Sequence, residues 1–211
     1  MCIVTFKATV VAPPEPPFVG TRIRIRLDDP ASLTWGIYSF VLADGESSVT
    51  IDWGDGMVQT FTETQGISHT YPAIGIYEVK ISDSIAALRC SSSAADPLYY
   101  DGFAPCILSC ETNAAKLIKI DRFCFMGARN MVTFNCNDSG VTELSTRCLR
   151  DCEALSGSVG LRPVTSINST TFAESPGISE LVFSQANYDI ISALTGFDTK
   201  FGAVNATIRF V

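Results

Sequence analysis

The sequence predicts a mainly β protein: a β-sandwich followed by a short solenoid with a C-terminal cap. Two observations predict it. Residues 20–84 fall into short apolar-alternating runs separated by turn signals, the pattern of a sandwich. Three later segments, beginning at Leu117, Val141 and Val164, align on one another at a period of 23 to 24 residues. A period of that length marks a stack of units, each of which buries its face only against its neighbours.

In chain order, residues 1–12 alternate like a short strand and are followed by Pro13-Pro14-Glu15-Pro16-Pro17. This proline run is stiff and extended and has few donors for a sheet ladder. It reads equally as a spacer and as an arm that attaches the protein to something larger. Together, residues 1–19 form an N-terminal strand, arm and linker. Strands are expected over Thr21–Leu27, Ile37–Leu42, Ser48–Trp53, Val58–Phe61 and Ile76–Ile81. They are separated by Asp28-Asp29-Pro30, Ala43-Asp44-Gly45, Gly54-Asp55-Gly56 and Pro72-Ala73-Ile74-Gly75, which are turn formers. In Arg22-Ile23-Arg24-Ile25-Arg26 the alternation predicts a strand with one solvated, basic face rather than a nucleic-acid patch.

Residues 85–211 form the solenoid, with repeats near 117–140, 141–163 and 164–186. Its first part, residues 85–112, joins it to the sandwich. The Tyr99-Tyr100-Asp101-Gly102-Phe103 cluster is expected to pack between the two parts rather than to form an exposed patch. Ile107-Leu108-Ser109-Cys110 is the expected first solenoid strand. Each repeat opens with an aliphatic pair: Leu117/Ile120, Val141/Leu144 and Val164/Ile167. A large apolar residue follows (Phe125, Leu149, Phe172), then another (Met131, Leu155, Ile178). The stretch from Asp121 to Ala128 is expected to form a short helix or 3₁₀ turn that points Phe125 inward. Residues 131–136 are expected to form a strand with Met131, Phe134 and Cys136 inward, and in the third unit Ile178, Leu181 and Phe183 inward. The outward positions Val132, Thr133, Asn135, Ser179, Glu180 and Val182 are the candidate binding residues. Tyr188–Leu194 as a helix and Ala206–Val211 as a last strand would supply the cap that such a stack requires.

Composition excludes several function classes. The net charge is −7, which opposes a nucleic-acid partner because phosphate binding rests on clustered Lys and Arg. No apolar run reaches the ~18 residues of a membrane span, and the N-terminus lacks the pattern of a secretory signal. The eight cysteines form no Cys-x-x-Cys pair, which opposes a zinc site. The spacings Cys106/Cys110 and Cys148/Cys152 allow a clip or a disulfide, but Cys124 and Cys148 hold equivalent places in successive repeats, where a small buried thiol fits. Free thiols favour synthesis in a reducing compartment. Asn137, Asn168 and Asn205 begin glycosylation sequons that matter only in a eukaryotic secretory setting. His69, the single histidine, has no nucleophile elbow beside it in sequence. Asp52 and Asp55 lack the run of alternating oxygen ligands of a calcium loop. No catalytic residue, metal site or cofactor is nominated.

Two sets of residues carry family resemblances. Val49-Thr50-Ile51-Asp52-Trp53-Gly54-Asp55-Gly56, then His69-Thr70-Tyr71, then Gly75-Ile76-Tyr77-Glu78-Val79-Lys80-Ile81 resembles the PKD-type immunoglobulin-like domain, with one residue missing from its usual turn. The resemblance implies structural roles for Asp52, Trp53, Gly54, Asp55, Gly56, His69, Tyr71 and Tyr77, with Trp53 and Tyr77 in the sandwich core. Val164-Thr165-Ser166-Ile167 and Asp151-Cys152-Glu153-Ala154-Leu155 resemble the BspA-type leucine-rich repeat. Departures stand at Thr171, Cys148 and Cys124, where that repeat usually has Ala. The fold class implied is an immunoglobulin-like β-sandwich followed by a short leucine-rich-repeat solenoid with a C-terminal cap.

Both families occur mainly in surface proteins of bacteria and their phages. The resemblances therefore imply a non-catalytic interaction or structural module. A phage virion protein (decoration, fibre or receptor-binding component), made in the host cytoplasm, reconciles that habitat with free thiols. Such a protein would meet other virion proteins through the N-terminal arm, and a homotrimer would suit a fibre. The alternative is a fragment of a secreted bacterial adhesin that binds host-surface protein or glycan.

Overall fold

The computed structural model describes residues 17–92, 98–168, 170–193 and 206–211. The strand expected over residues 1–12, the arm up to Pro16, Cys2, Leu194 and Asn205 lie outside the described residues. The chain is mainly β, with 41% of residues in strands and 9% in helices, and its C-terminal part winds into a β-solenoid of about four turns.

The N-terminal region contributes β1 (Gly20–Leu27), β2 (Thr34–Leu42), β3 (Val49–Asp52), β4 (Val58–Phe61), β5 (Gln65–Thr70), β6 (Gly75–Ser82) and β7 (Ile85–Arg89). In β1 the alternation acts as expected: Ile23, Ile25 and Leu27 are buried while Arg24 and Arg26 are exposed. Two strands, β5 and β7, are additional to the expected five. β5 pairs only with β2 and buries one side chain, Ile67, so its alternation is faint in the sequence. β7 falls within the stretch expected to be a connection.

The second half contributes β8 (Ile107–Thr112), β9 (Lys119–Ile120), β10 (Thr133–Asn135), β11 (Glu143–Leu144), β12 (Gly157–Gly160), β13 (Ser166–Ile167), β14 (Ile178–Phe183), helix α1 (Gln185–Ser192) and β15 (Thr207–Phe210). All strands join two sheets. One has the order β15-β14-β12-β10-β8-β1-β6-β3-β4 and the other β13-β11-β9-β7-β2-β5.

Both sheets cross from one region to the other through a single strand each. β8 pairs antiparallel with β1 (Ile23 opposite Cys110) and parallel with β10 (Phe134 opposite Cys110). β7 pairs antiparallel with β2 (Phe40 opposite Leu88) and parallel with β9 (Leu88 opposite Ile120). Between the sheets lies one contiguous apolar core that runs from Ile23, Trp35 and Trp53 to Leu181, Phe183 and Ile191. Phe103 of the aromatic cluster joins this packing; the Tyr99 side chain lies outside the described residues. Phe103 is buried and its carbonyl accepts the Trp35 indole N–H at 3.1 Å. Tyr100 donates to Asp151 Oδ2 at 2.6 Å, and Arg129 holds the same oxygen at 3.2 Å.

Each coil crosses from one sheet to the other through a run of tight turns, not the helix or 3₁₀ segment expected for Asp121–Ala128. Left-handed backbone recurs every fourth residue: Phe123 and Gly127, Arg147 and Asp151, Thr170 and Glu174. Such residues interrupt an α-helical ladder. Alternate N–H groups close turns within the coil, as Cys124 to Asp121 and Met126 to Phe123. The intervening ones donate to the next coil, as Phe123 to Thr146 and Phe125 to Cys148. Every other peptide therefore bonds between coils, which fixes the stacking of Phe125, Leu149 and Phe172. All three side chains are fully buried.

Cys124 and Cys148 are fully buried at equivalent places, with Thr171 in the third coil. The described cysteines form no disulfide among themselves. Burial pushes the thiols of Cys110, Cys136, Cys148 and Cys152 well above their ordinary range, so they stay protonated and pack as small hydrophobes. The cap is helix α1, whose N-terminus is closed by Ser184 accepting from the Asn187 N–H. β15 adds to β14, and Tyr188 packs on Phe210 at 4.9 Å between ring centroids.

Candidate functional site

Strand pairing sets up one cross-strand row on the outer face of the larger sheet. Arg22 faces Glu111, Glu111 faces Asn135, Asn135 faces Gly160, Gly160 faces Val182, and Val182 faces Arg209. Their inward neighbours Ile23, Cys110, Phe134, Val159 and Leu181 are buried, as the two-residue period of a strand requires. Five spacings of ~4.8 Å between these six strands make a row of ~24 Å.

The row is notched at Gly160. A Cβ there would lie 2.3 Å from Asn135 Oδ1 and 2.5 Å from Asn137 Nδ2, so a side chain is admitted only if these amides move. Two hollows adjoin at this point and share Glu111 and Asn135. One, of about 170 Å³, extends to Arg22 and Asp138. The other, of about 230 Å³, extends over Gly160 to Val182 and Arg209.

Of the six residues nominated from the sequence, Thr133, Asn135 and Glu180 lie on this face. Thr133 and Asn135 are exposed and Glu180 is half-buried. Val182 has the outward register but is only 3% exposed, so it forms the floor of a hollow. Val132 is exposed at the corner that precedes β10. The register shift between Gly157 and Ser158 makes Ser179 the extra residue of a bulge, outside the row. Sequence reasoning passed over Glu111, Asn137, Ser158, Gly160 and Arg209. The strand β12 that carries two of them reads Gly-Ser-Val-Gly, with one apolar side chain; the repeat period, projected from 133–135, was the signal that locates it.

The charges along the row differ in their commitments. Glu180 hydrogen-bonds the Ser158 hydroxyl and lies 3.0 Å from Arg209 Nε. The Ser158 hydroxyl first, and then Arg209, hold its carboxyl below the usual range against the opposing effect of burial. Arg22 lies 3.9 Å from Glu78 and donates to the Phe18 carbonyl. Glu111 forms no ion pair among the described residues. Asn135 Oδ1 accepts the Asn137 backbone N–H at 3.0 Å, and Asn137 Oδ1 accepts that of Arg162 at 3.1 Å.

A second cluster surrounds His69 and is held by the β3–β4 turn. Asp52 Oδ1 accepts the Gly54 N–H at 2.9 Å and Asp55 Oδ1 that of Met57 at 3.0 Å. Gly54 has a φ of 81°, and a Cβ there would lie 2.6 Å from the Glu78 carbonyl, so only glycine fits the turn. His69 Nε2 is 2.8 Å from Asp55 Oδ2. Its ring stacks on Trp53 at 5.1 Å and meets Tyr71 edge-on at 4.7 Å. Burial raises the Asp55 carboxyl, but the His69 contact and the Met57 N–H outweigh it and hold the group below its usual value. Trp53 is fully buried, as expected. Tyr77, expected in the core, is only half-buried and donates to the Ala73 carbonyl at 2.7 Å; Tyr71 takes the buried place, 2% exposed. Gly56 sits exposed at the turn with a φ of 95°. His69 thus has a carboxylate and two aromatic rings around it, an arrangement that orients a turn.

Among the described residues no three His, Cys, Asp or Glu side chains gather as metal ligands, and no helix is long and apolar enough to cross a membrane. No family model, curated protein or solved structure matches the chain.

Proposed function

We propose that the protein is a non-catalytic interaction and structural module that binds through the outer face of its larger sheet. The observation that carries this is the continuous nine-stranded sheet above a single core. Such a platform is rigid, and it displays a row of hydrogen-bonding groups of which Glu111 has no partner among the described residues. The PKD-type likeness of the N-terminal motif and the BspA-type likeness of the coils belong to the same proposal. They make the N-terminal region an immunoglobulin-like sandwich and the coils a leucine-rich-repeat solenoid.

A phage virion component is the proposed setting, with the N-terminal arm as the attachment to its virion partners. The buried, protonated thiols of the solenoid support it, because a core built around free cysteines suits folding in a reducing cytoplasm. The test is solution mass together with binding to bacterial cells and immobilised surface glycans. An oligomer, expected to be a trimer, that binds cells and loses binding on Asn135→Arg supports the proposal. Cell binding indifferent to substitutions along the row overturns this face as the binding surface. An absence of binding to any surface overturns the interaction reading and leaves a purely structural part.

A further inference from the structure

We propose that the hollow over Gly160 is a binding site for a neutral, hydroxyl-rich sugar ring, with Glu111 as acceptor and the side-chain amides of Asn135 and Asn137 as donors. This rests on the interaction function proposed above and names the ligand class of that face.

The chemistry follows from which atoms are already used. Both Asn side-chain oxygens are occupied by backbone N–H groups, those of Asn137 and Arg162. These contacts fix the amide orientation and leave the two nitrogens as donors. Neither nitrogen donates to another described residue; Asn137 Nδ2 faces the space above Gly160, and the Asn135 amide reaches the same space, its Oδ1 nearest Gly160. Glu111 sits on the next strand in direct register with Asn135, and its carboxylate only accepts. The hollow thus offers donors on one side and, one strand away, an acceptor with no partner among the described residues, over a floor made partly of Val182.

Charged ligands fit this arrangement poorly. An anion would meet the Glu111 carboxylate, and the flanking cations are engaged elsewhere: Arg209 by Glu180, and Arg22, in register with Glu111, by Glu78. A cation would meet two amide donors. A sugar ring satisfies both sides, since each hydroxyl donates to a carboxylate and accepts from an amide, while its C–H face covers the apolar floor. The orientation of these groups is set before the ligand arrives, which reduces the ordering cost of binding.

The experiment is ¹H–¹⁵N NMR of the Asn135 and Asn137 side-chain amides, titrated with neutral glycans drawn from a neutral-glycan array. A sulfated heparin hexasaccharide and a hexalysine peptide serve as comparators. Saturable shifts of both amides are expected with at least one neutral glycan, with a Kd on the order of 1 mM or tighter. Glu111→Gln and Gly160→Val should each weaken binding at least about tenfold. Glu111 is exposed, so its variant keeps the fold even if Gly160→Val disturbs it. No shift with any neutral glycan, a response to the charged comparators alone, or full binding by Glu111→Gln overturns the proposal. Retained cell adhesion that is still lost on Asn135→Arg would show that the sugar assignment failed while the binding face stands.

Discussion

The N-terminal and C-terminal regions share both sheets and one core, yet they are held together differently. In the N-terminal region strands β1–β7 pair antiparallel, and large aromatics fill the interior: Trp35 and Trp53 meet edge to face at 6.5 Å. In the C-terminal region the strands pair parallel, and repeated aliphatic, phenylalanine and thiol side chains fill the interior. The first arrangement draws on connections of a few residues. The second uses a whole coil to return each strand to its neighbour, so a coil is stable only on the coil before it. β7 and β8 serve both, which makes the antiparallel region the base on which the parallel stack grows.

The largest expected effect tests that dependence. Phe125→Ala should destabilise the protein by ~3–5 kcal/mol, since it empties a fully buried site. Both tryptophans lie in the N-terminal region, so their fluorescence reports on it alone. Their unfolding midpoint in urea should fall together with that of far-UV circular dichroism. A tryptophan transition that stays in place while the dichroism splits in two would break the comparison and make the regions independent.

Gly54→Ala strikes the other side. The left-handed backbone and the 2.6 Å approach to Glu78 predict a loss of ~1–3 kcal/mol. The same pair of probes should again move together; loss confined to fluorescence would show that the solenoid stands without its base.

Asp55 sharpens the contrast by pH. Its carboxyl titrates lower in the folded protein than its ordinary value of 3.8. Its stabilising contribution is therefore fully present above that value, and is lost as pH falls through the folded one. In urea melts from about pH 5 to pH 2, Asp55→Asn should flatten this acid limb. An unchanged limb would assign acid sensitivity elsewhere.

The smallest effect has the opposite sign. Arg147 is exposed with a φ of 58°. Arg147→Gly relieves that conformation but adds backbone freedom to the unfolded chain, so a gain of up to ~1 kcal/mol is expected as a higher thermal midpoint. A loss would mean that the Arg147 side chain contributes packing that outweighs its backbone strain.

The period of 23 to 24 residues and the alternation of β1 were legible because each depends on local side-chain order alone. The burial of Phe125, Leu149 and Phe172 followed from that period. β5 and β12 were not legible, since an edge strand buries little and Gly-Ser-Val-Gly carries almost no hydrophobic signal. The turn ribbon was missed for a related reason: Phe123, Arg147 and Thr170 have no residue type that announces left-handed backbone.

Of the candidate face, Asn135 and Thr133 were visible as outward positions on a strand. The sequence by itself determined a β-rich chain whose second half is a stack of similar units. Only the tertiary structure decided that β7 and β8 weld this stack to the antiparallel region, and that Glu111, Asn135 and Gly160 fall in one row. Register across strands is set by hydrogen bonds between segments about 24 residues apart, and such pairing is a property of the assembled sheet rather than of any one segment.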